Sequence, residues 1–196
     1  DAVRTSQFVV FRSAVEGGGS VHAINVKGMA DKLSRKEIDK LVEVAKTYGA
    51  KGLAYTRWTS DAKSSSFEKF LTEDETAALY AAADFAQGDV LLLAADSNSE
   101  KACTILGAVR LAVAEKYELI DKDKFNFLWV TDFPLFEYSE EEGRYMAKHH
   151  PFTMPKDEDL DKVESEPGVC RAKAYDMVLN GCEVGGGSIR INDPAL

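Results

Sequence analysis

The chain has 196 residues, with 45% hydrophobic and 29% charged, the balance of a globular protein with a real core rather than a disordered, collagen-like or coiled-coil chain. Its longest unbroken apolar run, Ala77 to Ala83, is far shorter than the roughly 20 residues of a membrane span. A net charge of −9 is the wrong sign for a surface that holds nucleic acid by neutralising phosphates, so any RNA contact is expected to be local.

Phe8 to Val15 and Val21 to Val26 read as extended runs around Gly17-Gly18-Gly19, which predicts an opening β-hairpin. Ser34 and Glu37 have capping-box spacing. Ile38, Leu41, Val42, Ala45 and Tyr48 then follow at helical spacing, and Gly49 ends the helix. Leu53 to Trp58 predicts a short strand, Thr72 with Glu75 caps a second helix, and Val90 to Ala95 predicts an apolar strand. Ser97 with Glu100 is expected to cap a third, long amphipathic helix. The order β-β-α-β-α-β-α predicts an α+β domain over residues 1–120.

The texture changes after Ile120, where Asp121-Lys122-Asp123-Lys124 precedes aromatic and β-branched runs. We place a boundary there, with a second domain over residues 125–196. Phe125 to Thr131 predicts a strand, Met146 to His150 lies near another, and Ala172 to Ile191 predicts two strands joined at Asn180-Gly181. The acidic, proline-flanked segment Pro155 to Gly168 predicts a mobile surface loop. Cys103, Cys170 and Cys182 are odd in number and form no C-x-x-C pair, which fits a reducing, cytoplasmic setting and argues against a disulfide framework. A first residue other than methionine, and a final Asn192-Asp193-Pro194-Ala195-Leu196 that reads as a loop, lead us to expect a piece of a longer chain.

Asn180-Gly181 tolerates the positive φ of a type I′ turn and fixes a hairpin register. Leu179 then faces Cys182 and Val178 faces Glu183, so Asp176 and Glu183 become diagonal neighbours on one surface. Such a carboxylate pair can bracket a divalent cation; two ordinary acids on a solvated strand face are the alternative. Gly185-Gly186-Gly187 removes three side chains from a strand, a costly choice unless something must approach closely. Arg190 offers a bidentate fork for a carboxylate or phosphate. Adjacent His149 and His150 point to opposite faces if extended, which argues against a shared zinc ion. No Walker A loop and no G-x-S-x-G elbow is present.

Three strings together resemble the bacterial-type aspartyl-tRNA synthetases. They are Phe127-Leu128-Trp129-Val130-Thr131-Asp132-Phe133-Pro134, His149-His150-Pro151-Phe152-Thr153, and Asp176 through Gly181-Cys182-Glu183-Val184-Gly185-Gly186-Gly187-Ser188-Ile189-Arg190. Phe11-Arg12-Ser13-Ala14 and Tyr48-Gly49-Ala50-Lys51-Gly52-Leu53-Ala54 resemble that family's GAD insertion domain. The resemblance implies a GAD domain over 1–120 and, over 125–196, strands of an incomplete class II catalytic antiparallel sheet. It implies an aspartate-tRNA ligase acting through an aspartyl-adenylate, with ATP and Mg²⁺, on aspartate and tRNA(Asp), as a cytoplasmic homodimer without membrane contact.

Residue by residue, the resemblance gives Asp176 and Glu183 to the metal, Glu183 to ATP, and Arg190 and His149 to aspartate; it assigns no catalytic residue. Cys182 departs from the family, where tyrosine is more usual. No motif 1, 2 or 3 is found in these residues, so the chain alone is expected to be inactive. The competing reading is the tRNA-recognition GAD module of a tRNA-dependent amidotransferase; a third, for residues 1–120, is a structural domain without a ligand.

Overall fold

In a computed structural model, which describes residues 3–194, the chain divides into two compact units, one ending at Ile120 and the other beginning at Asp121. It is a mixed α and β protein whose sheets are antiparallel.

The first unit runs α1 (Val9–Glu16), β1 (Ser20–Val26), α2 (Arg35–Thr47), β2 (Ala54–Trp58), β3 (Lys63–Ser65), α3 (Glu73–Ala82), β4 (Val90–Asp96), α4 (Ser99–Lys116). Its sheet has the order β1-β4-β2-β3, so the most apolar strand, β4, is interior. Buried Val90, Leu92 and Ala94 join the core of α2 and α4, which supply Ile38, Leu41, Ile105 and Val109. Leu91 and Leu93 join a second core with Phe11 of α1 and Leu79 of α3. Helices therefore cover both faces of one sheet.

The expected opening hairpin is not there, because Val9–Glu16 is helical. The stretch is rich in β-branched residues, but the spacing of Phe8, Phe11 and Ala14 is helical, and packing decides. Phe11 is fully buried, 4.8 Å from the ring of Phe8 and 5.3 Å from that of Phe67. Gly17-Gly18-Gly19 ends this helix instead of joining two strands: Gly18 has φ +84°, and a Cβ on Gly19 would sit 2.0 Å from the Asp96 carbonyl oxygen. The element order is thus α-β-α-β-β-α-β-α.

Helix α3 has the full capping box, with Glu75 N–H donating to Thr72 Oγ1 (3.2 Å) and Thr72 N–H to Glu75 Oε2 (2.9 Å). In α2 only half of it forms, because the Glu37 carboxylate turns to Lys40 and Lys116. Helix α4 is capped by Asn98, not Ser97, since Asp96 Oδ1 accepts the Asn98 N–H and holds the chain extended for one residue more.

The second unit contains a three-stranded sheet of order β5-β8-β9, from β5 (Phe127–Thr131), β8 (Ala174–Leu179) and β9 (Cys182–Ser188), and a ribbon of β6 (Phe136–Ser139) with β7 (Arg144–Ala147). Its core is small: Leu135, Cys170, Ala172 and Ala174. The acidic segment read as a mobile loop is instead turned into short 3₁₀ helices, Asp157–Lys162 and Pro167–Val169, anchored by a buried carboxylate. Asp159 is 3% exposed. It accepts from the backbone N–H of Arg171 (3.0 Å), from its Nε (2.8 Å) and from its Nη2 (3.1 Å), and the Arg171 guanidinium holds its carboxyl down at about 2. No helix among the described residues is long and apolar enough to cross a membrane.

Candidate functional site

The β8–β9 hairpin turns at Asn180 (φ 48°) and Gly181 (φ 85°), the two positive φ values that a type I′ turn needs. Asn180 also fastens the hairpin to the approach of β5: its Oδ1 accepts the Asn126 N–H at 2.9 Å, and its Nδ2 donates to the Lys124 carbonyl at 2.7 Å. Leu179 pairs with Cys182 and Val178 with Glu183, the register that the turn dictates.

Beyond Glu183 the register shifts. Met177 pairs with Gly185 and Asp176 with Gly186, so Val184 is the extra residue of a β-bulge. In a regular strand Glu183 and Gly186 would face opposite ways, being three residues apart. The bulge brings Gly186 onto the face of Glu183 and Asp176. Continued two residues past the strand, the same alternation adds Ser188 and then Arg190.

The two carboxylates converge over the middle glycine. A Cβ on Gly186 would lie 2.4 Å from Asp176 Oδ1 and 2.9 Å from Glu183 Oε1, so both oxygens reach one small volume that a side chain at 186 would fill. The three glycines differ in what stands over them. Gly185 faces open space, while Gly187 lies beneath the Tyr175 ring, whose Oη is 3.0 Å from the position of an added Cβ. Tyr175 is on the opposite face of β8 from Asp176, its ring T-shaped to that of Trp129 with centroids 5.9 Å apart. Tyr175 was not among the residues singled out from sequence; its place beside Asp176, pointing the other way, is the signal available.

Arg190 lies four residues beyond Gly186, about 13 Å along an extended chain, so it does not share the volume over Gly186. It pairs with Thr153 of the His149-His150-Pro151-Phe152-Thr153 segment. Ile191 N–H donates to the Phe152 carbonyl (2.8 Å) and Met154 N–H to the Ile189 carbonyl (2.9 Å), which threads this segment along the end of β9. Thr153 is buried, with its hydroxyl oxygen unpartnered.

The histidines have separate surroundings. His150 is exposed; its Nδ1 accepts the Phe152 N–H at 3.2 Å and its ring packs on Phe152. His149 is half-buried, its ring T-shaped to that of Phe133 with centroids 5.3 Å apart, and its shielded Nε2 has no hydrogen-bond partner. Among the described residues no group of three or more His, Cys, Asp or Glu is placed to hold a metal ion. The carboxylates at 176 and 183 are a pair with open coordination, the kind of protein contribution Mg²⁺ takes when phosphates and water supply the remaining ligands.

The GAD domain family matches residues 11–106. The chain is 56% identical over 192 residues to an aspartate–tRNA(Asp/Asn) ligase of Lachnoclostridium phytofermentans, covering 97% of this chain and 32% of that protein. It is 56% identical to an aspartate–tRNA ligase of Clostridium beijerinckii, over 99% of this chain and 32% of the relative. To an aspartate–tRNA(Asp/Asn) ligase of Geotalea uraniireducens it is 54% identical, over 100% of this chain and 33% of the relative. The chain spans about a third of the length of these curated relatives and is similar to them over nearly all of its own length, with a match to the GAD domain family in its first part.

Proposed function

We propose that the chain is the part of an aspartate–tRNA ligase that joins the GAD insertion domain, residues 1–120, to the strands of a class II catalytic sheet, residues 125–196, carrying its ATP and aspartate sites. The single observation behind this reading is the convergence of Asp176 and Glu183 over Gly186. Two like charges held at one point are stabilised by a divalent cation, and ATP is handled as its Mg²⁺ complex. Asp176 and Glu183 would hold the ion, with Glu183 also serving ATP, and Mg²⁺ would supply charge neutralisation for the phosphates.

Arg190, about 13 Å further along the same face, would grip the side-chain carboxylate of aspartate through its fork. His149, on the segment paired to Arg190 through Thr153, would line the aspartate side. The length of this face suits two substrates placed end to end. In the ligase the α-carboxylate oxygen of aspartate attacks the α-phosphorus of ATP, forming the acyl phosphate bond as the bond to pyrophosphate breaks. A terminal ribose hydroxyl of tRNA(Asp) then attacks the aspartyl carbonyl carbon, forming the ester as the bond to the phosphate breaks and AMP leaves, with the hydroxyl proton released. The homodimer and the cytoplasmic setting belong to this same reading. The amidotransferase module is not favoured, because the identity to the ligases extends through residues 125–196, beyond the GAD match.

The test is aspartate-dependent ATP–pyrophosphate exchange by the full-length ligase against Mg²⁺ concentration. Asp176→Asn and Glu183→Gln are each expected to raise half-saturating Mg²⁺ about tenfold, with aspartate KM changed far less. An unchanged Mg²⁺ dependence in both variants overturns the reading.

A further inference from the structure

A cavity of about 470 Å³ lies within the first unit, between α1 and the sheet, where β4 ends and α4 begins. Its size falls within the range of small-molecule sites and far exceeds an ordinary packing void. The floor is apolar, built from buried Phe11, Leu53 and Leu93, and half-buried Phe8 adds an aromatic wall. The rim is charged: Lys101 stands 3.2 Å from Asp96, and Lys51 is near enough to act on the same carboxylate. Two cations share one anion, so the mouth is net positive on a chain whose net charge is −9.

An apolar floor beneath a cationic rim selects an amphipathic anion. Lysines are point charges without the planar fork that matches a carboxylate, and two of them suit the more compact, more highly charged phosphate. A phosphate dianion also outbids a single carboxylate for Lys101, so Asp96 occupies that cation until a ligand arrives. We propose that this cavity binds a small organic monophosphate, its phosphate at Lys51 and Lys101 and its aromatic or aliphatic body against Phe8 and Phe11. The site is distinct from the Asp176–Glu183 face and does not depend on the function assigned to it.

Amide chemical-shift titration of the ¹⁵N-labelled 196-residue chain with phenyl phosphate, phenylacetate, inorganic phosphate and benzyl alcohol tests this. Phenyl phosphate is expected to give saturable shifts at residues 8–14, 51–54 and 95–101, with at least tenfold higher affinity than inorganic phosphate or benzyl alcohol, because each of those supplies one half of the contact. Lys51→Met should weaken it about 3-fold or more. Asp96→Asn keeps an acceptor for the Asn98 amide while releasing Lys101, and should tighten it by a similar factor. Shifts that fail to saturate at these residues overturn the proposal, as does an affinity indifferent to both substitutions. Phenylacetate binding as tightly as phenyl phosphate overturns the assignment of phosphate.

Discussion

Asp176 pairs with Gly186 across the β8–β9 ladder, and its carboxylate occupies the place that a side chain at 186 would take. Glycine there is a condition for two acids to meet, since a methyl group would stand 2.4 Å from one carboxylate oxygen and 2.9 Å from the other.

Gly186→Ala is therefore expected to separate the acids without unfolding the hairpin, because what must move is the far end of two flexible side chains. In the 196-residue chain, Mn²⁺ should broaden amides around Asp176 and Glu183, and Gly186→Ala should raise the concentration required about tenfold or more. Gly185→Ala, over open space, is the control and should match the wild type. Equal Mn²⁺ response in all three proteins would show that the space over Gly186 holds no cation.

In the full-length ligase, Arg190→Lys should lower kcat/KM for aspartate on the order of 10² or more, with little change for ATP. Lysine keeps the charge but loses the two parallel hydrogen bonds by which a guanidinium tells a carboxylate from an amide. Arg190 is exposed at the end of a strand, so the thermal midpoint should hardly move. Intact aspartate kinetics together with a large loss of stability would make Arg190 a structural residue.

Asp159 should set the acid limit of the second unit. Its carboxyl is held at about 2 in the folded chain by Arg171, against ~3.9 when unfolded. The stabilisation is then complete above about pH 4, declines as pH falls, and is gone below about 2. Exchange of the Ala172 amide, which donates to the Phe133 carbonyl at 2.7 Å, should accelerate across that window. In Asp159→Asn it should be fast already at pH 7 and lose most of the acid dependence. Wild-type-like protection of Ala172 in that variant at pH 7 would refute this role.

The legible parts of this protein are those fixed by local chemistry. The Asn180-Gly181 turn has few conformations open to it, and the pairing of Val178 with Glu183 follows from it directly. Thr72 and Glu75 form their capping box for the same reason. The Val184 bulge left no mark in the sequence, since it depends on how β9 accommodates β8 and its own departure past Ser188. A regular reading of β9 would have set Glu183 and Arg190 on opposite faces. Helix α1 was obscured by Val9 and Val10, which are exposed and exert no packing preference, while Phe11 decides the element from inside a core assembled from distant residues. Asp159 looked like one more acid in a polar segment because its partner is twelve residues away.

Strand β4 reads Val90-Leu91-Leu92-Leu93-Ala94 and is apolar on both sides, so sliding it by one residue against β1 and β2 would still bury hydrophobic groups on either face. The usual penalty against such a slip, an apolar residue traded for a polar one, is missing here. Its ends supply the missing information. Asp89, just before the strand, accepts from the backbone N–H groups of Gly28 (2.8 Å) and Ala86 (3.1 Å) and from Asn25 Nδ2 (3.0 Å). Asp96, at the far end, accepts the Asn98 N–H at 3.0 Å. A displaced strand would drag the nearly buried Asp89 away from three donors and take the carboxylate acceptor from the Gly28 and Ala86 N–H groups, while Asn25 Nδ2 would keep only the Ala83 and Asp84 carbonyls. Two acids act as end stops that index a strand whose interior cannot index itself.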